Sequence, residues 1–540
     1  DRLDSNGGIL AFVSNGSWLR GNAASGFRLA IEKEFSSIYV FNLRGNARTQ
    51  GELRRKEAGN VFGGGSRAPI AITLLVKNPA CNAKKAQIYY RDIGEYLSRD
   101  EKLNIISGLG SISSPQLDWN AITPNKFGDW INKRNPDYIS YTPLGEKGKK
   151  DGVIFQVYSS GFITNRDAWV VNSSTRVLKD NIQYLINHYN EEVNRFAEAR
   201  KNDVQAEASD FLLSGDAKIK WDQSLLKDAN QLKQHKLQDE AFRACCYRPF
   251  FKQNVYFCKD LNWSHYLLPK LFPTPDLKNL VIGVSGTGAS KKFSVLMLDR
   301  IVDRGILPTV QCFPLYYYEA DKGGSSSFFD KSEQGYIRRN AIPEQLVLKA
   351  KKEIDSTLNG EDLFFFIYGI LHSREYRSAY ANDLKKMIPR IPVAVSSDEF
   401  WAFSRAGREL ADLHINYESV PPFPGIEILG ASSEYLRVEK MRFPKKNQKD
   451  TIIYNSSIRI ENIPLKAYEY IVNGKSAIEW IMDRYQIRTH KASGIVNDPN
   501  DWAEEVGNPR YILDLLLSII NVSMKTLDIV ESLPKLNFDE

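Results

Sequence analysis

The chain is poor in the residues that usually announce compact catalytic chemistry. It has six histidines in 540 residues, His188, His235, His265, His372, His414 and His490. None stands at metal-ligand spacing from a Cys, another His or a Glu. There is no His-Glu-x-x-His run and no Gly-x-Ser-x-Gly elbow, so metallohydrolase and serine-hydrolase readings lack support. The five cysteines, Cys81, Cys245, Cys246, Cys258 and Cys312, form no Cys-x-x-Cys pair. An odd number without metal spacing points to reduced thiols and a cytoplasmic protein. No apolar run reaches the ~20 residues that cross a bilayer, and no membrane partner is expected. Leu363–Leu371 and Leu513–Ile520 have the length of buried core segments. No signal peptide is read at the start of the given sequence, where a fragment would have lost one.

The composition is that of a globular protein, with 42% hydrophobic and 25% charged residues. A chain of 540 residues outgrows a single core, so two to three domains are expected. The net charge of +7 suits a polyanionic partner, but charge alone favours nucleic acid only slightly.

Residue 1 is Asp, not Met, and the chain enters Gly7–Leu19 almost at once. That stretch reads as a buried strand, residues 9–13, ending in a polar turn with a glycine. Ala23, Phe27, Ile31 and Phe35 recur every four residues, one face of a helix. Ile38–Leu43 is a second strand, Ala68–Val76 a third, and Ala86–Tyr90 a candidate fourth. Together they read as the second half of a doubly wound sheet whose first half, the usual bearer of the cofactor-binding glycine turn, is missing. A strand is expected at Val153–Tyr158, and an amphipathic helix over Leu178–Phe196. The polar stretch Lys201–Ser209 is the best domain boundary. Further on, Leu280–Val284 and Gln311–Tyr318 read as strands and Asp321–Ser327 as a flexible loop. Ser396 with Glu399 is a capping-box signature, followed by one apolar face through Phe400, Phe403, Leu410, Leu413 and Tyr417. Tyr511–Met524 is an apolar closing helix.

Three segments invite a chemical reading. Gly283–Ser290 follows a strand and looks phosphate-binding. A phosphate loop needs Lys directly after its last Gly, and Ala289 stands there, so a plain turn is favoured. The loop from Arg44 to Lys56 carries Arg44, Arg48, Arg54, Arg55 and Lys56 between two strands. It is either a solvated charge run or a contact to DNA phosphates beside a pocket. Gly59–Ile70 sets Phe62 at the head of a glycine-rich loop. Phe62 is either core or an aromatic placed to stack on an extruded base.

These pieces together resemble the γ-type adenine-N6 DNA methyltransferases. In that family a strand ending like Ala11-Phe12-Val13-Ser14-Asn15 follows the catalytic Asn-Pro-Pro-Tyr motif. A Val-Phe segment, matched by Val61-Phe62, precedes the next strand and packs an aromatic ring on the flipped adenine. Across nearly the whole chain, further motifs resemble the type ISP restriction–modification enzymes. They include Gly45-Asn46, Thr164-Asn165-Arg166-Asp167-Ala168-Trp169, Tyr247-Arg248-Pro249-Phe250, Tyr368–Ser373, Pro389–Pro392, Ala411–His414, Asn473–Ser476 and Ser493–Pro499.

The resemblance implies an α/β fold. The C-terminal half of a Rossmann-like methyltransferase sheet with its linker (residues 1–200) would precede a mixed α+β target-recognition domain, helix-rich toward its end (201–540). It implies a single polypeptide with nuclease and helicase domains upstream, double-stranded DNA as partner, and S-adenosylmethionine as the parent's cofactor. Asn-Pro-Pro-Tyr and the cofactor's glycine turn are absent, so this stretch alone is expected to be inactive. Phe62 would clamp the base. Asn15 and Ser17 would shape the pocket floor. Arg44, Asn46, Arg48, Arg54, Arg55, Asn165 and Arg166 would contact DNA, although Asn165 and Arg166 read equally as a structural hinge. Tyr247–Phe250 and His372 read as fold-holding. The rival readings are a stand-alone DNA-binding specificity module without catalysis, and a nucleotide-dependent enzyme using Gly283–Lys292.

Overall fold

The first ninety residues and the segment after them build one five-stranded sheet. In the computed structural model of the chain the described residues are 3, 6–49, 51–63, 65–212, 218–289, 291–321, 332–392, 395–430 and 435–538. They fall into two compact units. The first comprises Asp1–Tyr141, Thr287–Phe293 and Ser378–Arg390, the second Thr142–Gly286, Ser294–Arg377 and Ile391–Glu540.

In the first unit the elements are β1 (Gly8–Asn15), α1 (Ser25–Glu34), β2 (Ser37–Arg44), α2 (Gly51–Glu57), β3 (Ile70–Lys77), β4 (Gln87–Asp92), α3 (Arg99–Leu109) and β5 (Asn120–Ile122). The strand order is β1-β3-β2-β4-β5. β3 is antiparallel to both β1 and β2, and β2 is parallel to β4, so β1, β2 and β4 run the same way. Ile38, Val40, Leu75 and Ile88 pack with Ile31, Phe35 and Trp130 on one side. Phe41, Leu43, Val61, Ile70 and Ile93 form a second core.

Two expectations fail here. Strand β1 is not buried: Ile9 is 62% and Val13 52% exposed. Among the described residues β1 pairs with β3 alone, and an apolar run buries a strand only when something covers it. The arginine-rich segment is not all loop, because Gly51–Glu57 coils into α2 with Glu52 in its first turn and Arg54–Lys56 in its last. That charge order suits the helix dipole.

The second unit holds several small sheets. One orders Ile301–Val302, Phe242–Arg248, Phe251–Tyr256 and Val171–Asn172; another orders Val295–Leu298, Val281–Val284, Gln311–Pro314 and Ser159–Ser160. Val153–Tyr158 forms no strand, although Val153, Ile154 and Phe155 are buried. Their apolar character serves core packing. The expected strand at 311–318 changes sheet at Leu315, whose N–H donates to Leu280 O at 2.8 Å. The 28-residue helix Thr175–Asn202, capped by Ser174, buries Leu178, Ile182, Leu185, Ile186, Tyr189, Val193 and Phe196. Residue 200 therefore lies inside a helix of this unit. Ser396 and Glu399 form the capping box of helix Ser397–Ile415, and Tyr511–Ser532 closes the fold. Of the Asp321–Ser327 loop only Asp321 lies within the described residues. Among the described residues no helix is long and apolar enough to cross a membrane.

Candidate functional site

Register gathers the sheet-borne candidates at one end of the sheet. Asn15, the last residue of β1, pairs with Ile70 at the start of β3, and Ile70 pairs across to Arg44 at the end of β2. Asn42 in turn pairs with Asp92, the last residue of β4. The carboxyl ends of three same-direction strands thus meet, the position where open α/β sheets build their sites.

Each predicted residue has a definite place there. Asn15 accepts from Ser17 N–H at 2.9 Å and caps a short helical turn, with both residues exposed. Arg44, in the left-handed region at φ 55°, donates to Asp92 at 2.6 Å and lies 3.4 Å from Glu95. Burial pushes the Asp92 carboxyl up. The hydrogen bonds from Arg44 and from Gly94 N–H outweigh burial and hold it below the usual carboxylate range. Asn46 builds a turn: its side-chain oxygen accepts from Arg48 N–H at 3.1 Å, and its own N–H donates to Glu57 at 3.0 Å. Arg54 donates to Ala58 O and Arg55 pairs with Glu52. Arg48 is exposed, and its guanidinium has no partner among the described residues.

Phe62 is 62% exposed on a tightly held loop. Asn60 donates to Gly45 O at 3.2 Å and Ala68 O at 2.8 Å, while its oxygen accepts from Phe62 N–H at 3.0 Å. Helix α3 grips the loop from the other side. Arg99 donates to Val61 O at 3.1 Å, and the buried Lys102 ammonium to Glu57 O at 2.9 Å and Gly59 O at 2.7 Å. Burial pushes the Lys102 amine down, with Glu57 pulling the other way. Gly59 is required by close approach, since a Cβ there would lie 2.3 Å from Arg99 N. Lys102 and Arg99 were not foreseen. A lone lysine on a polar helix gives no sequence signal that it points inward.

The second unit carries a separate cleft of about 650 Å³. Asn165, at φ 60°, lines it together with Lys220, Arg248, Asp303, Arg304 and His490. Arg166 turns inward: it is 2% exposed, donates to Leu261 O at 2.6 Å and pairs with Asp222 at 2.6 Å. Those contacts tie its guanidinium into the fold. Arg248 lies 3.8 Å over the Tyr247 ring and bonds Asp303, while Tyr247 OH donates to Asp167 at 2.7 Å. Burial pushes Asp303 up to about 6, with Arg248 pulling it down. Gly283–Ala289 is a strand end and a turn; Gly286 N–H donates to Pro308 O at 2.8 Å.

A family model described as the type ISP C-terminal specificity domain matches residues 153–515. The chain belongs to this family. Two solved type ISP structures are similar over 99% of it. A nuclease-deletion mutant of the restriction–modification enzyme LlaGI, in complex with a DNA substrate mimic, is 40% identical with a TM-score of 0.85. The ATP-dependent enzyme LlaBIII bound to DNA is 35% identical with a TM-score of 0.86. A DrdV–DNA complex is 27% identical over 98% of the chain, with a TM-score of 0.80. The chain spans 47% of the LlaGI chain, 33% of the LlaBIII chain and 51% of the DrdV chain. No curated protein sequence matches it.

Proposed function

We propose that this chain is the DNA-recognition part of a type ISP restriction–modification enzyme, and that its first unit contributes one wall of an adenine-N6 methyltransferase pocket. The observation that carries the reading is the likeness of virtually the whole chain to two type ISP enzymes in complex with DNA or a DNA mimic. On this reading duplex DNA is the partner, and helicase and nuclease functions belong to other parts of the same polypeptide.

The methyltransferase part rests on the sheet. Strand β3 lies antiparallel between β1 and β2, which α1 connects in the same direction. That order fits the closing portion of a doubly wound sheet with one returning strand. Among the described residues the outer edge of β1 has no partner strand, which supports a reading in which further strands add there. Phe62 would stack on the flipped base, and the loop grip from Arg99, Lys102 and Asn60 would keep the ring in place before the base arrives. Asn15 and Ser17 would form the floor, and Arg48 would meet the backbone. Arg304 would take phosphate contacts in the second unit. Among the described residues the sheet end offers no cofactor-binding glycine turn and no Asn-Pro-Pro-Tyr, so the residues present do not by themselves make an S-adenosylmethionine site.

The decisive experiment is binding of the full 540-residue chain to random-sequence and target-bearing duplexes, followed by methyl transfer after joining it to an upstream methyltransferase segment. Salt-sensitive, sequence-dependent duplex binding is expected from the chain alone, and adenine methylation only after joining. Binding without any gain of methylation would leave the stand-alone specificity module as the correct reading. Absence of duplex binding would overturn both.

A further inference from the structure

The second unit contains a buried histidine that no hydrogen bond explains. His235 is 3% exposed, and among the described residues neither ring nitrogen has a hydrogen-bond partner. Unsatisfied buried polar atoms are rare and call for a cause. Nε2 lies 3.5 Å from an Asp228 oxygen and Nδ1 lies 3.5 Å from an Asp260 oxygen. The ring is held in place. It stacks on Tyr189 with centroids 4.4 Å apart, and its backbone exchanges two hydrogen bonds with Asn190, at 2.9 and 2.8 Å.

The two carboxylates already converge on a cation. The Lys233 ammonium sits 2.7 Å from Asp260 and 3.2 Å from Asp228. Its side chain is 42% exposed and can swing to solvent. The three residues come from three segments: helix Gln223–Asn230, the stretch after it, and the turn after strand Phe251–Tyr256. One ligand atom from each falls within 4.8 Å of the other two. Ligands about 2.0–2.2 Å from a tetrahedral ion stand roughly 3.3–3.6 Å apart, the separation seen between Nε2 and Asp228.

We propose that Asp228, His235 and Asp260 bind one divalent transition-metal ion of the zinc class, which displaces the Lys233 ammonium. Nε2, beside Asp228, is the ligating nitrogen. A nitrogen with two carboxylates suits zinc or cobalt better than calcium or magnesium, which prefer all-oxygen cages. The ion would tie the Asp260–Leu261 turn to the helix bearing Asp228, and Leu261 O is the acceptor that holds Arg166 behind the cleft.

The test is titration of the chelator-treated full chain with zinc chloride by calorimetry, and with cobalt chloride by visible absorption. One saturable equivalent with a tetrahedral cobalt spectrum is expected. Asp260→Asn, at a partly exposed position, should weaken binding at least tenfold. Lys233→Met should tighten it at least tenfold, because it removes the competing cation. No saturable binding by the native chain overturns the proposal. So does binding that Asp260→Asn leaves unchanged, which would place the metal elsewhere, as at the exposed Cys81.

Discussion

Phe62, on its loop, and Lys102, on the helix α3 that grips that loop, answer to different forces. Phe62 exposes most of its ring, so Phe62→Ala should change folding stability by less than about 0.5 kcal/mol in urea unfolding. In the assembled methyltransferase the same change should slow adenine methylation roughly tenfold to a hundredfold, the scale of 1–3 kcal/mol of base stacking, while duplex affinity stays within about threefold. Equal loss of binding and methylation would remove the stacking role. Lys102 is fully buried and its ammonium serves two carbonyls. Lys102→Met leaves Glu57 O and Gly59 O without that donor and should cost about 1–3 kcal/mol of stability, read in the same unfolding experiment. Asp303 sets a pH dependence. Its folded pKa, pushed up to about 6 by burial, lies above the unfolded value near 3.8. Between those values the folded state holds the extra proton, so stability falls as pH rises from about 4 through 6 and levels above that. The native chain should therefore lose stability relative to Asp303→Asn across that window. A difference that stays flat from pH 4 to 7 would mean that Arg248 fully compensates the burial.

At the scale of elements, the helix pair Gly360–Ile370 and Ser397–Ile415 is the clearest case of packing written in small residues. A Cβ on Gly407 would lie 1.9 Å from Phe365 O, and one on Gly369 would lie 2.3 Å from Phe403 O. Gly407→Ala must separate the helices and should cost about 1–3 kcal/mol, visible as a lowered melting temperature. Ser396→Ala, which only removes a cap, should cost about 1 kcal/mol. The cap and the apolar face of this second helix were legible in the sequence, since Ser396, Glu399, Phe400 and Phe403 state them locally. The long helix after Ser174 was legible for the same reason. The exposure of β1 was not, because a strand's burial depends on what lies beside it. Nor was the inward turn of Arg166 and Lys102. Residue type places a cation outside by default, and only tertiary contacts to Asp222, Leu261, Glu57 and Gly59 bring it in. The cluster of Asp228, His235 and Asp260 escaped a search for ligand spacing because its members are brought together by the fold and not by sequence.

For the whole molecule the question is whether its excess of seven positive charges acts as a field or through a few contacts. Most basic candidates on the first unit are already paired: Arg44 with Asp92 and Glu95, Arg55 with Glu52, Lys56 with Glu95. Paired surface cations release few counterions on meeting a phosphate, so these should add little to the salt dependence of DNA binding. Arg48 stands apart because its head group is exposed and has no partner among the described residues. Arg48→Ala should therefore lower duplex affinity similarly on all sequences and reduce the slope of log affinity against log salt by about one. Arg55→Ala should change that slope less than Arg48→Ala does, because the Arg55 head group already neutralises Glu52. Arg304→Ala, in the cleft of the second unit, should act like Arg48→Ala if the cleft meets backbone, and should change the preference between sequences if it meets bases. Slopes measured for the three variants on target and random duplexes decide between these cases. Three unchanged slopes would take DNA away from both the sheet end and the cleft.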